Sequence, residues 1–295
     1  MNSTEHIFLR AGFSSCSSSL CIRDQEDLLK INQILKDCGL NPVLPVKTEV
    51  LLNPQQNSGK RKAEELNALW SRPDLKYIFD ISGGDTCNEI LDHLDFDVIR
   101  DSQIVFSGYS DLTTLINAVY SLTGKASLLF QVANLIRGAD TIRISEFQNF
   151  ISSPEENLTL VSPEGAFLRG SFMQGAVVGG NVRCFLKLSG TRYFPDCQDK
   201  ILLLEARSGG RSQIISYFSQ LRSMGVFTKI SGLVLGEFTQ YEKDPASQLF
   251  SEIVAGFIPE SLPVFKTGQI GHNVNARGIM IGQKYCFRDN GGYPV

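Results

Sequence analysis

Apolar residues in the first half of the chain follow two alternating patterns. Short apolar runs such as 77–81 and 104–106 read as buried strands, and each is followed by a stretch in which apolar residues recur at helical spacing. Strands separated by helical segments of about ten to fifteen residues are typical of a parallel sheet covered on both faces. The pattern therefore predicts an α/β fold.

The remaining elements extend this alternation along the chain. Strands are predicted at 6–13, 42–46, 97–99, 126–130, 200–205, 230–235, 278–281 and 284–287. Helices are predicted at 24–37, 62–70, 182–188, 212–224 and 244–257. Residues 131–157 are mixed and polar, so we expect a linker within 140–175 that separates a domain at 1–160 from a second at 161–295.

Composition narrows the class of protein without identifying it. The 295 residues carry a net charge of −3, which gives no reason to expect a nucleic acid or an anionic membrane as a partner. The seven cysteines are scattered without metal-ligand spacing, which favours a reducing compartment and no metal. The first residues lack the features of a signal peptide, and no apolar run reaches the length of a membrane span. We expect a soluble, cytoplasmic protein.

The strand at 104–106 turns into a helix through Gly108-Tyr109-Ser110. A sharp strand-to-helix turn of this kind leaves the serine at the positive end of the helix, where backbone N–H groups can bind a developing oxyanion. Ser110 is therefore a candidate nucleophile.

A second turn of interest, Gly83-Gly84, follows the strand at 77–81. Most such pairs only provide a tight turn that needs a positive φ. The alternative is a close approach of backbone N–H groups to an anionic atom. Both turns lie at the carboxyl ends of strands, where open α/β sheets bind their ligands.

A base for Ser110 must come from three histidines, His6, His93 and His272. His272 is the best candidate because it lies in a glycine-rich loop after a strand, whereas His6 is near the terminus and His93 lies in a helix. Glu205 ends an apolar strand, and the order Ser110, Glu205, His272 is that of α/β-hydrolases. Geometry rather than order defines a triad, so the residues alone predict an α/β hydrolase-like enzyme with a serine nucleophile.

Several segments occur in a distinctive order along the chain. They are Ser-Gly-Gly-Asp at 82–85, Leu-Asp-His-Leu-Asp-Phe-Asp-Val-Ile at 91–99, Gly-Tyr-Ser-Asp-Leu-Thr at 108–113, Gly-Gly-Asn at 179–181 with the stretch to 188, Gly-Thr at 190–191, Ile-Leu-Leu-Leu-Glu at 201–205 and Gly-His at 271–272. Together they resemble one family of serine peptidases, which includes murein tetrapeptide LD-carboxypeptidases and microcin C7 self-immunity peptidases.

The resemblance implies a flavodoxin-like N-terminal domain with a parallel sheet and a smaller C-terminal domain of mixed strands and helices. It further implies an enzyme that needs no cofactor or metal and that forms a homodimer, as is common in the family. It also implies roles for individual residues. The implied catalytic residues are the nucleophile Ser110, the general base His272 and the orienting carboxylate Glu205. The implied oxyanion donors are the backbone N–H groups of Gly84 and Asp111, and Gly83 and Asp85 are implied to bind the substrate.

The chain also departs from the family pattern. Phe130-Gln131-Val132 replaces the usual Gly-Pro turn, Ala206 replaces an acidic residue, and serines at 14–19 match the family's Pro-Ser turn imperfectly. These departures affect the choice of substrate rather than the three catalytic positions.

Two substrates are compatible with this family. The first is a small murein peptide that loses a terminal D-alanine during cell-wall recycling, and the second is a peptidyl- or aminoacyl-nucleotide whose amide is cleaved. A nucleotide substrate would favour aromatic residues that stack on its nucleobase. The candidates Phe147, Phe150, Phe167 and Phe172 are better explained by core packing. A silent binding protein is disfavoured by the three retained catalytic positions. An α/β-hydrolase esterase is disfavoured by the lack of a glycine two residues after Ser110.

Overall fold

The computed structural model describes residues 9–44, 51–138, 140–244 and 247–295. The strands are β1 (Leu9–Ser14), β2 (Ser19–Leu20), β3 (Leu40–Val43), β4 (Leu75–Asp80), β5 (Ser82–Gly83), β6 (Val105–Gly108), β7 (Ser127–Leu129), β8 (Ala166–Arg169), β9 (Phe172–Asn181), β10 (Ile201–Ala206), β11 (Gly232–Phe238), β12 (Val264–Lys266), β13 (Ile279–Ile281), β14 (Lys284–Arg288) and β15 (Gly291–Pro294). The α-helices are α1 (Gln25–Asp37), α2 (Gly59–Trp70), α3 (Phe96–Asp101), α4 (Thr113–Thr123), α5 (Thr141–Ser152), α6 (Val182–Leu186), α7 (Arg211–Ser223) and α8 (Leu249–Glu252). His6 and the end of the strand predicted at 42–46 lie outside the described residues.

The first sheet has the strand order β13-β7-β6-β4-β1-β3. Its five strands from the first half of the chain are parallel to one another. Numbered within the sheet, their order is 2-1-3-4-5, which is the flavodoxin order. The predicted parallel sheet and its flavodoxin-like class are confirmed. Strand β13, from the end of the chain, adds an antiparallel edge strand beside β7.

The second sheet has the order β15-β14-β9-β10-β11-β12-β8. Strands β9 to β12 form its parallel centre, and β8, β14 and β15 complete it in antiparallel pairs. The predicted mixture of strands and helices in the second half is confirmed. Because both sheets have a parallel centre, each brings several strand ends to one edge, and these edges supply the side chains of the candidate site.

Helix α5 occupies part of the stretch where a linker was expected. Asp140 caps its N-terminus by accepting a hydrogen bond from the backbone N–H of Arg143 at 2.8 Å. Phe147 is fully buried on this helix and its ring centroid lies 5.6 Å from that of Phe130, so α5 covers the first sheet. The expectation of core packing is confirmed for Phe147 and for the buried Phe150, whereas Phe172 is exposed.

Two predicted elements are wrong. Residues 97–99 belong to helix α3 rather than to a strand, because Asp95 accepts hydrogen bonds from the backbone N–H groups of Asp97 and Val98 and so starts a helix. The helix predicted at 244–257 is broken into short pieces, of which α8 is the only α-helical one among the described residues. Of the helices in the described ranges, none is both long and apolar enough to cross a membrane.

Candidate active site

The turn at Ser110 has the predicted form of a strand, a sharp turn and a helix. Strand β6 ends at Gly108, a short 3₁₀ turn spans Ser110–Leu112, and α4 follows at once. A Cβ at Gly108 would lie 2.8 Å from the Cβ of Leu112, so the turn closes this tightly only with glycine there. Ser110 has a φ of 59°, a left-handed conformation that a side chain rarely adopts and that is found where function requires it.

The carboxylate of Asp111 joins the serine turn to three other segments. It is fully buried and accepts hydrogen bonds from Ser17 Oγ at 2.6 Å and from the backbone N–H of Cys87 at 2.8 Å. Lys187 Nζ, just after α6, lies 2.5 Å from its other oxygen. No local pattern indicates this role, which fixes the serine turn against both halves of the chain.

The Gly83-Gly84 turn packs against the serine-rich loop. Gly83 pairs with Ser19 in the two-stranded sheet of β2 and β5. Gly84 has a φ of +122°, and a Cβ there would lie 2.3 Å from Ser18 Oγ. A tight turn therefore requires glycine at this position. Asp85 donates its backbone N–H to Ser18 Oγ at 3.1 Å, and its carboxylate pairs with Arg183.

Glu205 and His272, which are 67 positions apart in the sequence, lie in contact. Glu205 is fully buried near the end of β10, and its Oε2 lies 2.9 Å from His272 Nδ1. The two atoms are close enough for an ion pair but are not aligned as a hydrogen bond. Within the described structure His272 Nε2 also has no hydrogen-bond partner. Neither ring nitrogen of His272 therefore has a hydrogen-bond partner among the described residues, and Nδ1 is the one that faces Glu205.

Asn181 positions Glu205 from the neighbouring strand. It pairs with Glu205 in the register of β9 and β10, and its Nδ2 donates to Glu205 Oε1 at 3.0 Å. Its Oδ1 accepts from the backbone N–H of Cys184 and caps α6, and its own N–H donates to Thr113 Oγ1 at 3.0 Å. Thr113 begins α4, directly after the serine turn. Sequence reasoning missed this role because Asn181 was read only as part of a Gly-Gly-Asn segment.

Tyr109 also packs against the imidazole of His272. Its ring centroid lies 5.1 Å from that of His272 in an edge-to-face arrangement. Burial raises the pKa of the Tyr109 phenol well above its ordinary value, and the charges of Glu205 and Glu237 raise it further. Tyr109 is therefore a neutral group beside His272.

A cavity of about 210 Å³ lies between these segments. Of the predicted site residues, Gly83, Gly84, Ser110 and His272 line it, and Glu205 lies behind His272. Asp85 and Asp111 are not among its lining residues. The other lining residues are Ser19, Leu20, Cys21, Tyr109, Gln131, Asn134, Arg137, Arg207 and Gly271.

His93 ends the 3₁₀ helix Cys87–His93 and does not line this cavity. Across the described ranges, no group of three or more His, Cys, Asp or Glu side chains is placed to hold a metal ion. The cavity therefore offers a serine, an imidazole with a buried carboxylate behind it, glycine backbone and two arginines.

Family models match both halves of the chain. The model described as the LD-carboxypeptidase N-terminal domain matches residues 12–129, and the one described as the LD-carboxypeptidase C-terminal domain matches residues 174–287. The first match contains Ser110, and the second contains Glu205 and His272.

Named relatives are similar at low identity. The microcin C7 self-immunity protein MccF of Escherichia coli is 24% identical over 261 residues, which cover 76% of this chain and 74% of that protein. A probable murein peptide carboxypeptidase of Bacillus subtilis is 24% identical over 227 residues, covering 75% and 71%.

Solved structures share the fold over almost the whole chain. MccF in complex with aspartyl sulfamoyl adenosine has a TM-score of 0.85 at 19% identity and covers 98% of this chain and 96% of that one. An MccF-like protein from Streptococcus pneumoniae in complex with AMP has a TM-score of 0.83 at 19% identity, with coverage of 98% and 99%. At these identities the likeness shows a common fold.

Proposed function

We propose that this chain, which belongs to the LD-carboxypeptidase family of peptidases, hydrolyses the amide bond to the terminal D-amino acid of a murein tetrapeptide by a Ser-His-Glu mechanism. One observation carries the proposal. Ser110 and His272 line a single cavity, and His272 Nδ1 lies 2.9 Å from the buried carboxylate of Glu205. Nucleophile, base and orienting acid are thus gathered from both halves of the chain.

In this mechanism Glu205 holds the Nδ1–H of His272, which leaves Nε2 as the base for Ser110. Nε2 takes the proton of Ser110 Oγ as that oxygen attacks the carbonyl carbon, and then gives it to the leaving amine. The buried Glu205 stabilises the imidazolium that forms in between. Water attacks the resulting acyl-serine in the same way and releases the shortened peptide. Catalytic hydrogen bonds are often poorly aligned in sites without substrate and tighten when substrate binds. This mechanism requires the same of the contact between Glu205 and His272.

The tetrahedral intermediate needs donors for its oxyanion. We assign this role to the backbone N–H groups of Gly84, which lines the cavity, and Asp111, which follows Ser110 at the start of the 3₁₀ turn. A donor of this kind typically lowers the barrier by about 3–4 kcal/mol. The buried carboxylate of Asp111 holds the turn in place, so its side chain and its backbone serve separate purposes.

The alternative substrate is a peptidyl- or aminoacyl-nucleotide with an amide bond. The solved MccF complex with aspartyl sulfamoyl adenosine favours it, because that protein shares the fold. The composition of the cavity favours the murein peptide. Tyr109 is the one Phe, Tyr or Trp among its described lining residues, and it is buried against His272 rather than presented to a nucleobase.

We further propose a division into two domains near residue 160, a cytoplasmic location and a homodimer. The family matches end at residue 129 and begin again at 174, on either side of the proposed boundary. A mass of twice 32.6 kDa by light scattering would support the dimer, and a monomer at working concentration would overturn it.

The experiment is incubation with a murein tetrapeptide and, separately, with an aminoacyl-sulfamoyl adenosine, followed by mass spectrometry. We expect release of D-alanine by the wild type and none by Ser110→Ala. Ser121→Ala is the matched control, since Ser121 lies on α4 and contacts Phe194 O at 3.4 Å, away from the cavity. Cleavage of the nucleotide alone would select the alternative. Turnover of neither, or turnover that survives Ser110→Ala, would reject the peptidase.

A further inference from the structure

Two arginines border the cavity without a carboxylate to neutralise them. Arg137 and Arg207 both line it, and their side chains are exposed. Within the described parts of the chain, neither guanidinium forms an ion pair or a side-chain hydrogen bond. Unpaired arginines at the wall of a cavity offer binding sites for an anion.

A nearby arginine shows the contrast. Arg23 lies with Arg137 at the edge of a neighbouring depression, but it forms a two-pronged pair with Asp27, with Nη2 2.8 Å and Nε 2.9 Å from the carboxylate oxygens. Its charge is therefore already matched. Arg137 lines both this depression and the cavity and has no such partner among the described residues, so its charge remains available to an anion.

The backbones of both arginines are fixed although their side chains are free. The N–H of Arg137 donates to Asn134 O at 3.0 Å, at the end of the 3₁₀ helix Val132–Ile136. The carbonyl of Arg207 accepts from the backbone N–H of Gln240 at 3.2 Å. Gln131, which caps that 3₁₀ helix, and Asn134 also line the cavity. This wall begins at Phe130-Gln131-Val132, where the chain departs from the family pattern.

The two charges act inside the cavity. Cys21 lines it, and burial raises the pKa of the Cys21 thiol to about 11. The positive charges of Arg137 and Arg207 both oppose that rise. Both guanidinium groups are therefore close enough to the cavity wall to favour a negative charge there.

We propose that Arg137 and Arg207 bind the terminal carboxylate of the peptide whose last amide bond is attacked by Ser110. This inference rests on the proposed function and deepens it. In a peptide, the terminal carboxylate carbon lies three bonds from the carbonyl carbon of the last amide. A group that binds this carboxylate must therefore belong to the same small cavity as the nucleophile, as both arginines do. They make the enzyme a carboxypeptidase rather than an endopeptidase.

The first test compares three forms of the tetrapeptide, which are the free acid, the form amidated only at its terminal carboxylate and the form amidated only at its interior carboxylates. We expect the terminal amide to lower kcat/KM by about a hundredfold, because charge-assisted hydrogen bonds to two arginines are lost. The interior amides should lower it by less than about threefold. The opposite order would assign the arginines to an interior carboxylate and overturn the proposal.

Variants then connect the preference to the two residues. Arg137→Gln and Arg207→Gln are each expected to raise KM for the free acid by about tenfold with little change in kcat, and to leave the terminal amide unaffected. Lysine at either position should recover part of the loss. Arg23→Gln is the matched control and should behave as the wild type. An equal loss for the free acid and the terminal amide would show a structural role and reject the assignment.

Binding to Ser110→Ala separates this inference from the proposed function. Calorimetry of Ser110→Ala with the free acid and with the terminal amide measures recognition without turnover. Tighter binding of the free acid that is lost in Ser110→Ala/Arg207→Gln supports the carboxylate site even if the wild type hydrolyses neither peptide. Equal binding of the two peptides rejects it even if the wild type is an active peptidase.

Discussion

Two fully buried carboxylates, Asp80 and Glu205, lie at or near the carboxyl ends of central strands of the two sheets, but their surroundings differ. Around Asp80, both oxygens are occupied. Ser14 Oγ donates to Oδ2 at 2.8 Å, the N–H of Cys16 donates to it at 2.9 Å, and the N–H and Oγ of Ser82 donate to Oδ1 at 2.8 and 2.5 Å. These donors connect the loops after β1 and β4.

One carboxylate oxygen of Glu205 accepts a hydrogen bond, and the other faces the imidazole of His272. Asn181 donates to Oε1 at 3.0 Å, while Oε2 lies 2.9 Å from His272 Nδ1 without an aligned hydrogen bond. A carboxylate whose oxygens are all bonded to loop groups stabilises those loops. One that faces a histidine in a cavity can respond to a change in that histidine's charge. The difference separates a structural carboxylate from the proposed catalytic one.

The largest expected effect comes from exchanging each carboxylate for its amide. Glu205→Gln should lower kcat by about 10³- to 10⁴-fold, because the amide can neither fix the tautomer of His272 nor stabilise its charged form. Asp80→Asn should change kcat by less than about threefold, since Asp80 is not among the described residues that line the cavity. Steady-state kinetics on the tetrapeptide measure both. Equal losses of kcat in the two variants would show that Asp80 and Glu205 do not differ in their importance for catalysis.

A smaller effect is expected from the residue that holds Glu205. Asn181→Ser keeps a side-chain oxygen that can cap α6 but removes the amide donor to Glu205 Oε1. We expect kcat to fall by about tenfold with KM nearly unchanged, because a positioning hydrogen bond is lost while the cavity wall stays intact. A loss confined to KM would place Asn181 in substrate binding instead. Circular dichroism of the variant checks that α6 and its surroundings remain folded.

The smallest effect concerns stability and belongs to Asp80. Burial raises the pKa of Asp80 above its ordinary value of 3.8, although its hydrogen bonds from Ser82, Cys16 and Ser14 oppose the rise. The folded state therefore binds the proton more tightly than the unfolded state does. Its contribution to stability is complete below pH 3.8 and is lost as the pH rises through the raised pKa.

Asp80→Asn lacks this proton. The free energy of unfolding of the wild type, relative to that of Asp80→Asn, should therefore fall as the pH rises above 3.8. Urea titrations of both proteins at a series of pH values measure this difference. A difference that grows with pH would show that the hydrogen bonds around Asp80 outweigh its burial.

Structural features that depend on residues close together in the sequence could be predicted. The turn at Ser110 and the parallel sheet follow from local spacing and from the alternation of strands and helices, and both are confirmed. The segment Asp97-Val98-Ile99 has too few apolar positions to distinguish a strand from a helix, and the cap at Asp95 decides in favour of the helix. The antiparallel addition of β13 to the first sheet depends on pairing across about 150 residues, which no local pattern encodes.

The candidate site shows the same division. Ser110 and His272 could be proposed from their turns, and the structure places both at one cavity. Their roles remain proposals. Arg137 and Arg207 could not be found, because an unpaired guanidinium is defined only by its neighbours in space. The position of Asn181 beside Glu205 follows from the register between β9 and β10. That register could not be determined from the sequence, so the role of Asn181 could not be predicted.

Covalent labelling tests whether Glu205 and His272 activate Ser110. A fluorophosphonate reacts with an activated serine, and peptide mapping by mass spectrometry identifies the residue that carries the label. We predict a single label on Ser110, none in Ser110→Ala, and labelling that is slower by about 10³-fold or more in His272→Ala and Glu205→Gln. A label on another residue, or an unchanged rate in His272→Ala, would show that Ser110 is not activated by His272 and Glu205.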